Sequence, residues 1–179
     1  MAYKLYTRAG DDGSTTLFGG RKVSKSDRRV SCYGDVDELN SWLGYVISQS
    51  KHSDVNQVLD RIQKELFVIQ ASLSNPEISG PQIEQGSIDW LEKNCDLFDQ
   101  KNSELTEFIL PGGGLLGSSL HLARTVCRRA ERQVVALSQV APINPLTIKY
   151  LNRLSDLLFA LARQINQIEG FSEVHPDYS

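Results

Sequence analysis

The sequence predicts an all-α protein: an up-and-down bundle of four or five helices behind an irregular N-terminal loop. Three observations carry that prediction. From about Asp27 onward most long segments repeat apolar residues at steps of three and four. Strand signals are weak everywhere. Runs rich in glycine and proline, near 1–20, 74–86 and 111–114, separate the periodic segments.

Taken in order, residues 1–20 are rich in Gly, Thr and Asp and end in Gly19-Gly20, a composition that favours turns over helix. The acidic segment Tyr33-Gly34-Asp35-Val36-Asp37-Glu38-Leu39-Asn40 reads as a helix start, where carboxylates interact favourably with the helix dipole. The helix it opens, Asp37 to Gln49, presents Leu39, Trp42, Leu43, Val46 and Ile47. Asp54 to Leu73 presents Val55, Val58, Leu59, Ile62, Leu66, Ile69 and Leu73. Ser74 to Gly86, with two prolines and two glycines, reads as a mobile crossover. Ser87 serves as the expected cap of a helix to Phe98, with Ile88, Leu91 and Leu97 on its apolar face. After Pro111-Gly112-Gly113-Gly114 a helix runs from about Leu116 to Val140. The last begins near Pro145, and its Leu151, Leu154, Leu158, Leu161, Ile165 and Ile168 form the seam of a helix packed nearly antiparallel on its neighbours. Short and long connections together describe a ferritin-like bundle in one domain, 1–179.

Bulk properties bound the function. A chain of 179 residues buries roughly 70% of its extended surface as a single domain. The net charge of -3, with no broad excess of Lys and Arg, argues against a general nucleic-acid binder. No apolar run is long enough to cross a bilayer, and the N-terminus has no signal-peptide core. Cys32, Cys95 and Cys127 lack metal-type spacing, so reduced thiols in a cytoplasm are expected. His52, His121 and His175 are too scattered for a histidine-built metal site.

The most informative stretch is Arg124-Thr125-Val126-Cys127-Arg128-Arg129-Ala130-Glu131-Arg132. Arg124, Arg128 and Arg132 fall at i, i+4 and i+8, lining one side of a helix over about 12 Å. Like charges at that spacing oppose helix formation. The stripe is either a solvated basic face or the seat of an anion or acidic partner. It abuts the apolar face of Val126, Ala130, Val134 and Leu137, which puts it at a groove edge.

Four other constellations bear chemistry. In the N-terminal loop, Gly10, Asp11, Gly13, Thr15 and Thr16 offer backbone N–H groups and hydroxyls to a polyphosphate, with Arg8 and Lys25 adding charge; a flexible terminus is the bland alternative. Asp37 could orient an arginine of the stripe. Phe108-Ile109-Leu110-Pro111-Gly112-Gly113-Gly114 combines two residues that read most simply as core, or as an apolar wall beside a ligand, with glycines that permit close approach. Asn152, Ser155 and Asp156 share a face of the last helix, where they either satisfy one another or meet a ligand.

These motifs, from Thr7-Arg8-Ala9-Gly10-Asp11-Asp12-Gly13-Ser14-Thr15 to Asn152-Arg153-Leu154-Ser155-Asp156, occur in an order that resembles the ATP:cob(I)alamin adenosyltransferases of the trimeric helix-bundle type. The likeness covers nearly the whole chain. It implies transfer of the 5′-deoxyadenosyl group of ATP to cobalt, release of triphosphate, Mg²⁺ with the ATP, and a homotrimer with active sites between subunits. It gives residues 1–25, in particular Thr7, Arg8, Ala9, Gly10, Thr15, Thr16 and Lys25, to ATP. Arg128 matches the arginine on the triphosphate, Glu131 and Arg132 share that ATP-binding stretch, and Asn152 faces the nucleotide. Asp37 and Arg124 match a pair that bonds across the subunit interface. Phe108 matches the aromatic that walls off the lower cobalt face, where cobalamin binds. Arg8 departs from the family's usual lysine: charge is kept, but reach and fork geometry differ. The tail from Phe171 to Ser179 matches poorly. Two further partners are consistent with the resemblance, a flavin reductase and an adenosylcobalamin-dependent enzyme.

Cob(I)alamin is already an extreme nucleophile, so the lack of a base dyad fits such a reaction. Two rivals come from other classes. A cofactor carrier or sensor would keep both ligand sites without conversion, and the Arg128, Glu131 and Asn152 set disfavours it. A nucleotide hydrolase would need a water-activating carboxylate pair, and none is evident.

Overall fold

The computed structural model describes residues 6–77 and 79–178; residues 1–5 of the N-terminal loop, Ile78 of the crossover and Ser179 lie outside the described residues. Two short strands, β1 (Ser14–Thr16) and β2 (Lys22–Ser24), precede five helices: α1 (Arg28–Gln49), α2 (Ser53–Ser74), α3 (Gln85–Asp99), α4 (Leu115–Ser138) and α5 (Pro145–Ile168). The strands pair antiparallel, Thr15 opposite Val23. Sequence periodicity could not find this hairpin, because three-residue strands are too short to alternate visibly.

Side-chain links set the direction of each helix. Asn40 and Gln63 exchange hydrogen bonds with each other's backbone carbonyls, while Arg29 Nη1 donates to Leu73 O at 2.7 Å, so α1 and α2 run antiparallel. Cys127 Sγ on α4 donates to Leu151 O on α5, and Asn166 near the end of α5 meets Gly114 before the start of α4, so these two are antiparallel. Glu92 pairs with Arg153 and Asp99 with Arg163, so α3 lies parallel to α5. Tyr150 OH donates to Glu65 Oε2 at 2.8 Å and ties α5 to α2. Helices therefore alternate in direction along the chain, and α3 packs on the outer side of α5.

The core confirms the periodicity reading for α2, whose seven named apolar residues are all buried. On α5, Tyr150, Leu151, Leu154, Leu157, Leu158, Leu161 and Ile165 are fully buried, since neighbours surround it. Each such side chain contributes about 1.5–3 kcal/mol on transfer from water. Ile168 departs from expectation: it is exposed beyond the last packed turn. On α3 the buried aromatic is Phe98, and the expected Leu97 faces solvent.

Helix starts differ from the sequence reading in two places. α1 begins nine residues before Asp37, because Asp27 Oδ1 accepts from Arg29 N at 2.8 Å and caps it. The acidic segment thus lies inside a helix, and Cys32 and Val36 extend its buried face. α3 begins at Gln85 after Glu84, and Ser87 does not cap it; its hydroxyl donates to Glu65 instead. α5 starts as expected, with Asn144 Oδ1 accepting from Leu146 N and Pro145 in the first turn. The described part of the crossover is anchored: Asn75 is buried and bonds Ser79, Ile83 enters the core, and Gln82 accepts from Ser72.

Candidate active site

A cleft of about 480 Å³ opens between α3, α4, α5 and the loop before α4. Arg124 and Arg128 enter it from α4, Ser155, Asp156 and Phe159 from α5, and Phe108 from the loop. The three arginines of the stripe make no ion pair within the chain among the described residues, and the buried Nε of Arg124 has no hydrogen-bond partner. The Arg124 guanidinium lies 5.7 Å from the Phe159 ring centroid. Burial, and then the charge of Arg128, push its pKa down. Burial pushes Asp156 up against the pull of Arg153 and Arg128. Cys95, also lining the cleft, is pushed up to about 11 by burial and by Asp156, Asp99 and Asp96, so it stays a neutral thiol.

Beside the cleft, Asn152 Nδ2 donates to Glu131 Oε1 at 3.1 Å, joining two expected site residues across α4 and α5. Arg132, one turn along α4 from Arg128, is exposed. Phe108 is 83% exposed and Leu110 49%, which overturns the reading of both as core: their loop leaves the bundle. Gly113 and Gly114 of that loop, with Gly117 on α4, serve packing. An added Cβ at Gly113 or Gly117 would strike the Asn166 side chain, and one at Gly114 would strike Phe171. Asn166 fills that space, accepting from Gly114 N at 3.0 Å and donating to Gly112 O at 2.8 Å.

Asp37 is exposed on α1 and makes no ion pair within the chain among the described residues. The α1 carboxylates that meet α4 are Asp35 and Glu38, and both take Arg129. Arg129 lies about 100° around the helix from Arg128. Its two partners were missed in the sequence because the acidic segment read as a helix cap.

The N-terminal loop is shaped but distant. Asp12 accepts from Ser14 Oγ at 2.5 Å, Lys22 Nζ at 2.9 Å and Ser14 N at 3.0 Å, bonds that hold its carboxyl well below the usual range. Thr7 Oγ1 accepts from Ala9 N at 3.4 Å, and Arg8 has φ 60, a left-handed backbone. A Cβ at Gly10 would come within 3.1 Å of Lys25 Nζ, so the ammonium sits against that bare backbone. Thr15 and Thr16 lie on β1. The hairpin is fastened by buried Leu17 and by Phe18 N donating to Ser74 O at 3.2 Å. Leu17 shares a cavity with Leu137, nine residues and about 13 Å along α4 from Arg128. One chain therefore gathers Arg124, Arg128 and Phe108 in a cleft with Glu131 and Asn152 beside it, and leaves the loop and Asp37 elsewhere.

Among the described residues no group of three His, Cys, Asp or Glu is placed to hold a metal ion, and no helix is long and apolar enough to cross a membrane. The three cysteines are free.

Residues 5–165 match the family model described as cobalamin adenosyltransferase. A corrinoid adenosyltransferase of Bacillus subtilis is 42% identical, with 98% of this chain and 93% of the relative covered. A cobalamin adenosyltransferase of Cupriavidus metallidurans is 43% identical over 96% of this chain and 92% of its own. This chain belongs to the cobalamin adenosyltransferase family. Adenosylation of cobalamin with ATP is accordingly its reaction. Solved structures agree with the fold. A phenylalanine-to-histidine variant of a PduO-type ATP:corrinoid adenosyltransferase from Lactobacillus reuteri, complexed with cobalamin and ATP, superposes with a TM-score of 0.94 at 39% identity, covering 98% of each chain. An arginine-to-lysine variant complexed with ATP gives 0.92 at 39% identity, covering 97% of this chain and all of the other.

Proposed function

We propose that this enzyme holds the triphosphate of ATP on the Arg128 side of the α4 stripe while the corrin docks over Phe108. Cobalt in its Co(I) state attacks C5′ of ATP with its electron pair; a Co–C5′ bond forms as the bond from C5′ to the triphosphate oxygen breaks, and triphosphate leaves. The observation that carries this reading is the charge balance on α4. Arg129 is neutralised by Asp35 and Glu38, whereas Arg124, Arg128 and Arg132 make no ion pair among the described residues. An anionic ligand at the cleft supplies the missing charge.

The chemistry asks for alignment and leaving-group stabilisation rather than a base. Each charge-assisted hydrogen bond from an arginine to a phosphate oxygen contributes roughly 1.5–3 kcal/mol, so two or three supply much of what the departing triphosphate requires. Glu131 and Asn152, already bonded to each other, border the nucleotide, and Arg132 extends the cationic edge. Residues 1–25 form the ATP-binding loop through Thr7, Arg8, Ala9, Gly10, Thr15, Thr16 and Lys25. Because that loop lies away from the cleft of its own chain, the complete site is assembled between protomers, in a homotrimer whose Asp37 reaches a neighbour's Arg124. The orphaned Nε of Arg124 supports a partner for that side chain. Mg²⁺ would be carried by the triphosphate itself, since no carboxylate cluster is gathered for it among the described residues.

Phe108 shields the lower cobalt face. An exposed ring at the cleft mouth suits that role, because an apolar wall excludes a lower axial ligand and lowers the energy of four-coordinate Co(II). A flavin reductase would then supply the electron, and an adenosylcobalamin-dependent enzyme would receive the product. Three free thiols support a cytoplasmic setting.

The test mixes protein, ATP and reduced cobalamin and follows absorbance. Appearance of the adenosylated spectrum with stoichiometric triphosphate is the expected result. Binding without conversion would mark a carrier, and orthophosphate release without corrin a hydrolase; either would overturn the proposal.

A further inference from the structure

The loop that carries Phe108 lies outside every regular element, yet three contacts fix its backbone. Asn166 Nδ2 donates to Gly112 O at 2.8 Å, Leu110 N donates to Val174 O at 2.7 Å, and His175 Nδ1 lies 3.0 Å from Phe108 O. All three contacts come from residues beyond the family-matched segment, which ends at 165. The tail is itself fastened: Glu173 Oε1 accepts from Nε of Arg163 at 2.6 Å, and Arg163 is buried to 2% exposure. Since the Phe108 ring is 83% exposed, packing does not set its direction. Its backbone does.

We infer that His175 is a positioning residue for Phe108. Its Nδ1–H, donated to the Phe108 carbonyl, holds the peptide that aims the ring across the cleft. Carbonyl oxygen only accepts, so the bond requires the proton on Nδ1, which both the imidazolium and one neutral tautomer provide. Glu107 Oε2 lies 3.9 Å from the same nitrogen. The inference rests on the shielding role proposed for Phe108.

The experiment uses the full chain with His175→Ala, His175→Asn, His175→Gln and Phe108→Ala. Turnover is measured from cob(II)alamin with a reductant and from prepared cob(I)alamin, and the absorbance of four-coordinate Co(II) is read with ATP present. His175→Ala should lower turnover from Co(II) about fivefold, the scale of one hydrogen bond, and lower the four-coordinate fraction, with the Co(I) route within about twofold. Asn places its amide N–H where Nδ1 was and should restore both readouts; Gln places it one atom further out and should not. Wild-type behaviour of His175→Ala, equal losses on both routes, or equal rescue by Gln would overturn the role of His175. If Phe108→Ala is selectively impaired on the Co(II) route while His175→Ala is not, shielding stands and positioning falls. If Phe108→Ala shows no selective loss, both fall.

Discussion

Asn152 and Glu131 are locked in one orientation: the amide donates to the carboxylate at 3.1 Å while its oxygen accepts from Arg153 Nη1 at 2.8 Å. Both ends of the amide are used, so the side chain proposed to border the nucleotide cannot flip. Asn152→Asp replaces the donor by a second carboxylate oxygen facing Glu131. We expect KM for ATP to rise about tenfold, the scale of one lost hydrogen bond plus repulsion. Glu131→Gln in the same background should recover part of the loss, because the new amide can donate. Unchanged KM in Asn152→Asp would remove Asn152 from the nucleotide site.

Arg128 separates catalysis from stability. It is exposed, has no ion pair within the chain among the described residues, and shares the stripe with like charges. Arg128→Ala should lower kcat/KM by roughly 10- to 150-fold, the worth of a charge-assisted hydrogen bond. Its melting temperature should stay within about 2 °C of wild type, as for a surface substitution. Arg128→Lys should retain part of the activity, since charge survives but the bidentate fork does not. A large loss of stability with normal turnover would reverse the assignment.

The contrast between those two sites shows what the sequence carried. Helical periodicity located α2 and the α5 seam because a buried face repeats wherever neighbours exclude water, and α5 is surrounded almost entirely. It failed at the edges, where one cap decides the boundary. Asp27, ahead of two arginines, starts α1 nine residues before Asp37, in the acidic segment that looked like a cap. The stripe of Arg124, Arg128 and Arg132 was legible from spacing alone, as was its nearness to a groove. Phe108 was not legible as exposed, since an aromatic followed by two aliphatic residues reads as core until the loop's path is known. Nor was the purpose of Gly113 and Gly114: the side chains they accommodate, Asn166 and Phe171, are more than fifty residues away.

His121 makes the acid limb of stability predictable. It is 3% exposed on α4, neither ring nitrogen has a hydrogen-bond partner, and burial, then Arg124, lower its pKa from 6.5 to about 4. A base whose pKa falls on folding binds its proton more weakly in the native state. The unfolded chain therefore takes up that proton as pH drops below about 6.5, and the native state takes it up only near 4. Stability contributed by neutral His121 is complete above pH 6.5 and declines toward pH 4, by about 3 kcal/mol in total. His121→Leu should flatten urea-derived stability across that window and raise the value at pH 5. An equally steep acid limb in the variant would show that other groups govern it.

Gly117 and Asn166 supply a cycle in which two lesions should cancel in part. A Cβ at Gly117 would overlap the Asn166 amide, which is held by Gly114 N and Gly112 O. Gly117→Ala therefore displaces Asn166 or strains the start of α4, and should cost about 2 kcal/mol despite alanine's better helix propensity. Asn166→Ala removes the obstacle and leaves two loop backbone groups without that partner, a loss of similar size. Once Asn166 is gone the atoms nearest the methyl at Gly117 are removed, and helix propensity then favours it. The double variant should be more stable than the sum of the two single losses by at least about 1 kcal/mol. Strict additivity in denaturant unfolding would mean that the glycine does not exist to admit Asn166. Because Asn166 also holds the loop that presents Phe108, its removal should slow turnover from Co(II) even where the fold is intact.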